Sequence, residues 1–369
     1  MRILVLNERD LEHPASGGAE THVHEVFRRL VARGHSVTEL VSSFPDAARR
    51  SERDGVQIER IGSAPLYYAR AALTCALRTR TGAVDVVVEC LNKMPYLAPR
   101  YAARPVVGLC HHLFGETAFE QAAWPIAAAV WTAERAIPAT YRHSEIVAIS
   151  ESTRIDLVER GVDPRRVDVQ LPGIRKPDVL PYAIASRVPL VVYVGRLEAY
   201  KRIDVLLEAV AHLAASHPGV QLAIIGRGGE RPALEARAAE LGIADRAVFT
   251  GFVSDAERDR FLAQARVCVC PSLKEGFGLT VIEANAVGTP NVATDAPGLR
   301  DTVRDGETGF LVPAGDAKAL ADRIGRLLTD DALAERMSEA ALAWSRQFDW
   351  ESSAEAMERS LTHAAPETG

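Results

Sequence analysis

The residues best placed to do chemistry lie in one stretch, Glu275-Gly276-Phe277-Gly278-Leu279-Thr280-Val281-Ile282-Glu283. An apolar run ends at Cys270, a glycine-containing loop follows, and a helical pattern begins near Thr280. The backbone N–H groups of Phe277, Gly278, Leu279 and Thr280 are then expected to lie unpaired at a helix N-terminus, beside its positive dipole end. Such a terminus suits a phosphate or a sugar hydroxyl. Glu275, at the mouth of the loop, can accept hydrogen bonds from sugar hydroxyls, and Glu283 can accept two from a ribose diol. The run Thr280-Val-Ile-Glu283 also fits a capping box, in which Glu283 would serve only the helix. The residues alone leave both uses of Glu283 open, whereas Glu275 before Gly-Phe-Gly gains nothing evident from packing.

A second group is Gly195-Arg196 with Lys201, directly after the apolar run Leu190–Val194. Two cations at the carboxyl end of a strand, with Gly195 allowing close backbone approach, can neutralise a diphosphate leaving group. In a low-dielectric site each such charge contributes several kcal/mol to the transition state. The alternative makes both residues ordinary surface cations opening a helix, which runs against the helix dipole. Lysine is otherwise scarce, occurring only at 93, 176, 274 and 318 besides 201.

Two weaker signals sit in the first half. Ser16-Gly17-Gly18-Ala19-Glu20 places paired glycines where a helix begins, offering amides to an anion, although a glycine pair is more often only a turn. Cys110-His111-His112 ends the apolar run Val106–Cys110. A histidine there can orient a sugar hydroxyl or lend its imidazole to a leaving phosphate. Adjacent residues alternate sides, so at most one of His111 and His112 faces the chemistry. His22-Val-His24-Glu25 is not H-E-x-x-H, its histidines do not share a helix face, and no other histidine has metal-ligand spacing. Gly226-Arg-Gly228 begins like a dinucleotide fingerprint, but Arg231 stands at the third glycine and no acidic residue follows to hold a ribose. A dehydrogenase therefore has poor support.

These residues need elements to hold them. Short β-rich runs alternate with helical patterns along the chain, the signature of α/β folding with parallel sheets. Strands are expected at Arg2–Leu6, Ser36–Val41, Asp85–Cys90, Val106–Cys110, Ile146–Ile149 and Val167–Leu171. Helices such as Glu20–Arg33 and Thr153–Arg160 lie between them, closed by Gly34 and Gly161 in left-handed caps. The proline-rich stretch Leu171 to Pro189 interrupts the pattern, which restarts with strands at Leu190–Val194, Gln221–Ile225, Ala247–Thr250, Val267–Cys270 and Asn291–Ala293. Helices are expected at Ile203–Ala215, Glu230–Leu241, Asp255–Ala265 and Thr280–Val287, with a helical end from Asp316 to about His363 and a disordered AAPETG tail. This predicts two doubly wound, Rossmann-like domains, 1–182 and 183–350, with a last helix at 351–365 crossing back to the first. Such sheets bind ligands beyond their strands' carboxyl ends, which predicts a site in a cleft shared by the domains.

Composition sets the class. The 369 residues carry a net charge of −6, which gives no sign of a nucleic-acid partner. Five cysteines, 75, 90, 110, 268 and 270, fall mostly in apolar strand contexts without C-x-x-C, as buried thiols in a reducing compartment would. No leader pattern precedes MRILVLN, and no apolar run approaches the ~18 residues of a membrane span, so a cytoplasmic location is expected. The segment Pro65 to Arg80, with Tyr67, Tyr68, Arg70, Arg78 and Arg80, offers weak peripheral contact with an anionic inner-membrane face. A solvated helix face is the commoner use of such a pattern.

In this order and on these elements, the motifs resemble the retaining glycosyltransferases of family 4, which have the GT-B fold. The resemblance spans nearly the whole chain: Gly17-Gly18-Ala-Glu20, His111, Ser150-Glu-Ser-Thr153, Gly195-Arg196 with Lys201, and Glu275 with Glu283. The last is an E-x7-E pattern in a full EGFGLTVIEA setting and is the most specific; the others are individually weak. The resemblance implies that Glu275 binds donor-sugar hydroxyls with the amides of Phe277 and Gly278. It implies that Arg196, Lys201, Gly18 and the amides of Leu279 and Thr280 hold the diphosphate, and that Glu283 takes the ribose. Backbone near Phe252 and Val253 would meet the base, and His111 would be the active-site histidine, with His112 the fallback. It further implies hexose transfer from a UDP- or GDP-sugar to a glycan, lipid-linked or small-molecule acceptor, with retention, no metal and no cofactor. Cleft closure would exclude water. Two other readings are a nucleotide-sugar epimerase or phosphorylase on the same architecture and a non-catalytic nucleotide-sugar-binding module. The phosphorylase lacks a lysine signal for pyridoxal phosphate, and the intact Glu275, Arg196 and Lys201 argue against the inert module.

Overall fold

The computed structural model describes residues 1–63, 66–92, 94–121 and 123–365, and these divide into two compact units, Met1–Gly173 with Asp349–Gly369, and Ile174–Phe348. Of the expected disordered tail at 364–369, Ala364 instead closes the last helix, and 366–369 lie outside the described residues.

The first unit is built on an eight-stranded sheet. Its strands are β1 (Arg2–Leu6), β2 (Ser36–Val41), β3 (Arg50–Arg53), β4 (Val56–Arg60), β5 (Val86–Leu91), β6 (Val106–Cys110), β7 (Glu145–Ala148) and β8 (Val167–Val169). They lie in the order β3-β4-β2-β1-β5-β6-β7-β8, parallel throughout except for β3 against β4. Every residue of β5 is buried, as expected of a central parallel strand covered on both faces. The helices here are α1 (Gly18–Ala32), α2 (Tyr67–Arg80), α3 (Ala118–Gln121), α4 (Trp124–Arg135), α5 (Ile137–Thr140) and α6 (Glu151–Glu159). The hairpin β3–β4 is absent from the sequence reading because RSER and VQIER are too polar to read as core strands. Its turn carries the available signal, since Asp54-Gly55 takes φ of 49° and 80°, the conformation of a tight hairpin.

The segment expected to offer tyrosines and arginines outward is α2, and the structure corrects that picture. Pro65 lies outside the described residues. Tyr67 is fully buried with its hydroxyl on the carbonyls of Asn7 and Leu40, Tyr68 donates to Glu8 at 2.7 Å, and Arg78 is paired with Glu59 at 2.6 Å. The outward stripe is Leu66, Arg70, Leu73, Leu77 and Arg80 instead, spaced at three and four residues along the helix.

The second unit carries β9 (Leu190–Val194), α7 (Ile203–Ala214), β10 (Gln221–Ile225), α8 (Arg231–Glu240), β11 (Ala247–Gly251), α9 (Asp255–Gln264), β12 (Val267–Cys270), α10 (Leu279–Ala286), β13 (Asn291–Thr294) and β14 (Gly309–Val312). The six strands are parallel in the order β11-β10-β9-β12-β13-β14. That is the doubly wound order, and its topological switch point lies between β9 and β12. The loops leaving those two strands carry Gly195, Arg196 and Lys201 on one side and Glu275 on the other.

The expected long helical end is three helices, α11 (Ala317–Thr329), α12 (Asp331–Ser345) and α13 (Trp350–Ala364). Each begins at an aspartate whose carboxylate accepts a first-turn amide: Asp316 from Ala319, Asp330 from Leu333 and Asp349 from Ser352. α13 belongs to the first unit, where it buries Trp350, Ala354, Met357 and Leu361 and sets Glu351 and Glu358 against Arg29 and Arg33 of α1 and the loop after it. Gly173 is required at this return, because a Cβ there would fall 2.3 Å from the Trp350 nitrogen. The unit boundary therefore falls at 173–174 and 348–349 rather than at 182–183 and 350–351. Residues 174–182 lack regular structure but dock onto the second unit, with Arg175 paired to Asp259 and Val179 against the Val192–Ala263 cluster.

Candidate functional site

At the switch point of the second unit, Lys201 Nζ lies 2.5 Å from Glu275 Oε1, and Ser272 Oγ donates to the same oxygen at 2.7 Å. Both contacts fall on one carboxylate oxygen. Their side chains are 13% and 16% exposed, so the pair is shielded yet reachable. Burial works against the charge on each. The opposite charge outweighs it: Glu275 is held below the ordinary carboxylate value by Lys201, Ser272 and Arg196, and Lys201 is held above the ordinary lysine value by Glu275. The backbone of Glu275 is fixed from the other side. Its N–H donates to the Pro297 carbonyl at 3.2 Å, and a Cβ on Gly298 would come within 2.3 Å of its own carbonyl oxygen.

Arg196 is exposed, with its guanidinium on the Tyr200 hydroxyl at 3.0 Å, and the Tyr193 hydroxyl holds the Arg196 carbonyl at 2.9 Å. α10 starts one residue earlier than the sequence pattern suggests. Its N-cap is Gly278, with φ of 88° and no side-chain cap, and its first turn holds no acidic residue, so no capping side chain takes the first amides, those of Leu279 and Thr280. Thr280 is thus the second helical residue and Glu283 the fifth, which removes the capping-box use of Glu283. Its carboxylate instead meets Arg258 at 3.2 Å, and Arg258 is also bound by Asp255 and Asp259 at 3.0 Å each. Burial lifts the Glu283 carboxyl above its ordinary value despite Arg258. Phe277 is buried against Phe348. Phe252 and Val253 follow β11, two strands away from the switch point. The Phe252 ring is exposed beneath Arg227, 5.4 Å from the ring centre, and Val253 packs into the core. Sequence reasoning missed Ser272, Tyr200 and Arg258; each lies near a residue it named, but no motif singles them out.

In the first unit, His111 directly follows β6 and is buried, while His112 is half-buried with its ring edge against Phe114 at 4.8 Å. Gly17 is the N-cap of α1, and its N–H is taken by Glu20 Oε2 at 2.7 Å, which leaves the amides from Gly18 onward at the helix start. Ser150 caps α6 by accepting the Thr153 amide at 3.1 Å, and the Thr153 hydroxyl donates to the His111 carbonyl at 3.4 Å. The residue that sequence reasoning set aside is His22. Its Nδ1 lies 3.1 Å from His111 Nε2, and its ring stacks on Trp350 at 5.7 Å. His24 faces elsewhere and pairs with Asp54 at 2.7 Å, as the separate helix faces require. The five cysteines are buried thiols, and none of them forms a disulfide among the described residues. Among the described residues, no group of His, Cys, Asp and Glu has the arrangement of a metal site.

Residues 16–176 match the family model described as Glycosyltransferase Family 4, and residues 180–344 match that of Glycosyl transferases group 1. A D-inositol 3-phosphate glycosyltransferase of Geodermatophilus obscurus is 30% identical, aligned over 99% of this chain and 89% of that protein. Against the namesake from Nocardia farcinica the identity is 37%, but the match spans 58% of this chain and 49% of that protein. Among solved structures, sucrose-phosphate synthase from Thermosynechococcus elongatus superposes with a TM-score of 0.81 at 24% identity, covering 97% of each chain. Anabaena Alr3699/HepE in complex with UDP-glucose gives 0.79 at 22%, covering 98% of this chain and all of that one.

Proposed function

The chain belongs to the family 4 type of glycosyltransferase with the GT-B fold, and from that premise we propose that it moves a hexose from a UDP- or GDP-sugar to an acceptor hydroxyl, retaining configuration and using no metal. The observation that carries this reading is the Lys201–Glu275–Ser272 cluster beside the uncapped start of α10, at the switch point of the second sheet. Cation, carboxylate and free amides are what a sugar diphosphate needs at its two ends. In this reading the amides of Leu279 and Thr280, with Arg196 and Lys201, take the diphosphate as the C1–O bond breaks. Glu275, with one oxygen still uncommitted, and the amides of Phe277 and Gly278 hold sugar hydroxyls. Glu283, steadied by Arg258, takes the ribose, and backbone at Phe252 and Val253 meets the base. The acceptor oxygen attacks C1 from the face that the phosphate leaves, and its proton passes to a phosphate oxygen. The name of the Geodermatophilus relative makes D-inositol 3-phosphate the first acceptor to try, ahead of glycan and lipid-linked panels.

Calorimetric titration with UDP, GDP and NAD tests the donor half. One nucleoside diphosphate should bind, and Arg196→Ala should weaken it about tenfold or more, the worth of one charge-assisted hydrogen bond. Arg196 is exposed, so the fold survives the change. Binding of NAD alone, or unchanged affinity in the variant, overturns the assignment.

The stripe on α2 supports peripheral contact with an anionic bilayer, in line with the expected inner-face location. Leu66, Leu73 and Leu77 are each more than half exposed, beside Arg70 and Arg80. Among the described residues no helix is long and apolar enough to cross a membrane. Sedimentation with vesicles containing phosphatidylglycerol should carry the chain down, and a Leu73→Glu, Leu77→Glu variant should stay in solution. Equal behaviour of the two proteins rejects this contact.

A further inference from the structure

His22 has no role in the reading above, yet it touches the residue on which the first unit's chemistry rests. The two imidazoles meet through His22 Nδ1 and His111 Nε2, 3.1 Å apart, and both rings are buried. The other nitrogen of His111, Nδ1, is buried with no hydrogen-bond partner. A single proton lies between the rings, so the choice of which ring carries it fixes the chemical character of His111 Nδ1. If His22 donated, His111 would carry its own proton on Nδ1, leaving a buried N–H without an acceptor. If His111 donates from Nε2, both rings hold the tautomer that neutral imidazole prefers, and the unpartnered atom is a lone pair, the cheaper group to leave waiting. Burial favours neutral rings throughout: it pushes His22 down to about 4 and His111 well below its ordinary value.

We propose that His22 is a positioning residue: it accepts the Nε2 proton of His111 and so presents His111 Nδ1 as a hydrogen-bond acceptor for a hydroxyl of the bound substrate. The assignment rests on His111 acting in glycosyl transfer, and it selects between the two uses the sequence left for that histidine. A bare Nδ1 orients a sugar or acceptor hydroxyl; it has no proton to lend to a leaving phosphate. The device is held from behind. Trp350, the first residue of α13, stacks on His22 with an interplanar angle of 25°. Thr153, near the start of α6, holds the His111 carbonyl. The helix that returns to this unit therefore fixes the His22 ring, and through it the face that His111 offers.

Two substitutions separate positioning from packing. His22→Phe keeps an aromatic ring on Trp350 and removes the acceptor; His22→Asn loses the ring and places an amide oxygen near the Nδ1 position. With UDP-glucose or GDP-mannose as donor, whichever binds, His22→Phe should lower kcat about tenfold to a hundredfold with donor KM little changed, as loss of an imidazole's orienting partner does. His22→Asn should recover most of that loss. In a His111→Ala background His22→Phe should cost nothing more. Full activity in His22→Phe, or a further loss in the double variant, overturns the proposal. Long-range imidazole 1H–15N spectra of the wild-type chain give a readout that needs no turnover: His111 should be protonated on Nε2 and bare on Nδ1, and the reverse pattern overturns the proposal. A chain that transfers from neither donor refutes the proposed function, while the spectra still judge the His22–His111 tautomer.

Discussion

Lys201→Met should destabilise the folded chain by about 3 kcal/mol and remove its transferase activity, while adding Glu275→Gln should restore most of the stability and none of the activity. The argument begins with burial. Removing one partner of a shielded ion pair leaves the other charge without compensation, at about 3–5 kcal/mol, whereas replacing both by neutral groups of similar size is often nearly neutral. The low end applies because both side chains keep some exposure. The sign of the pH dependence follows from the two shifts. Glu275 lies below its ordinary 4.5 in the folded chain, so its contribution is present above that value and disappears as pH falls through the folded value. Lys201 lies above its ordinary 10.5, so its contribution is present below that value and disappears as pH rises through the folded one. The difference in stability between wild type and Lys201→Met should therefore be flat across the middle of the scale and close at both ends. Urea unfolding at a series of pH values reads it directly. Activity should fall by about a hundredfold to a thousandfold in both variants, because the diphosphate loses a cation and, in the double variant, the sugar also loses a carboxylate. A Lys201→Met chain as stable as wild type at neutral pH, or one still active, refutes the role given to this pair.

The parts of this site that could be read in the sequence are those made by neighbours along the chain. Gly278 before an apolar helical run, and cations directly after an apolar strand, are local patterns, and the structure puts each at the carboxyl end of a central strand. The central strands were legible because they are parallel and covered on both faces, so their residues form short, largely apolar runs; Leu190–Val194 and Val267–Cys270 occur as read. What escaped was made by pairs distant in sequence. The Lys201–Glu275 contact joins residues 74 positions apart, and His22 meets His111 across 89. No spacing rule reaches that far. The edge hairpin β3–β4 escaped for the opposite reason: its burial alternates over only five residues, and its charged side chains resemble a loop. Glu283 shows a subtler failure. Its spacing from Thr280 was correct for a capping box, but the helix begins at Leu279, and a shift of one residue turns a cap into a carboxylate that Arg258 holds.

Gly226→Ala should be among the most damaging single changes in the second unit, for a reason the dinucleotide motif does not supply. A Cβ at position 226, where φ is 142°, would stand 1.8 Å from the Gly195 carbonyl oxygen, and one at Gly228 would stand 2.1 Å from the Leu197 carbonyl oxygen. These are backbone atoms, so no side chain can swing away. The loops leaving β9, β10 and β11 are stitched edge to edge there. Gly195 N–H donates to Ile225, Leu197 N–H to Arg227 and Gly226 N–H to Gly251, at 2.9 Å each. Arg196 sits between two of those stitches, so its place at the switch point depends on the glycines of the neighbouring loop. The G-x-G that looked like the start of a cofactor fingerprint is a packing requirement of the turn that carries Arg196. Substitution should cost about 4 kcal/mol or more, in the range reserved for forced backbone displacement, and the nucleoside diphosphate should bind more weakly even at temperatures where the chain stays folded. Gly229→Ala is the matched control, since nothing lies within 4 Å of its added methyl. Thermal unfolding and calorimetry of the two variants side by side decide the matter: equal melting temperatures and equal affinities would mean that the loops are not held by this contact, and that the position of Arg196 has another cause.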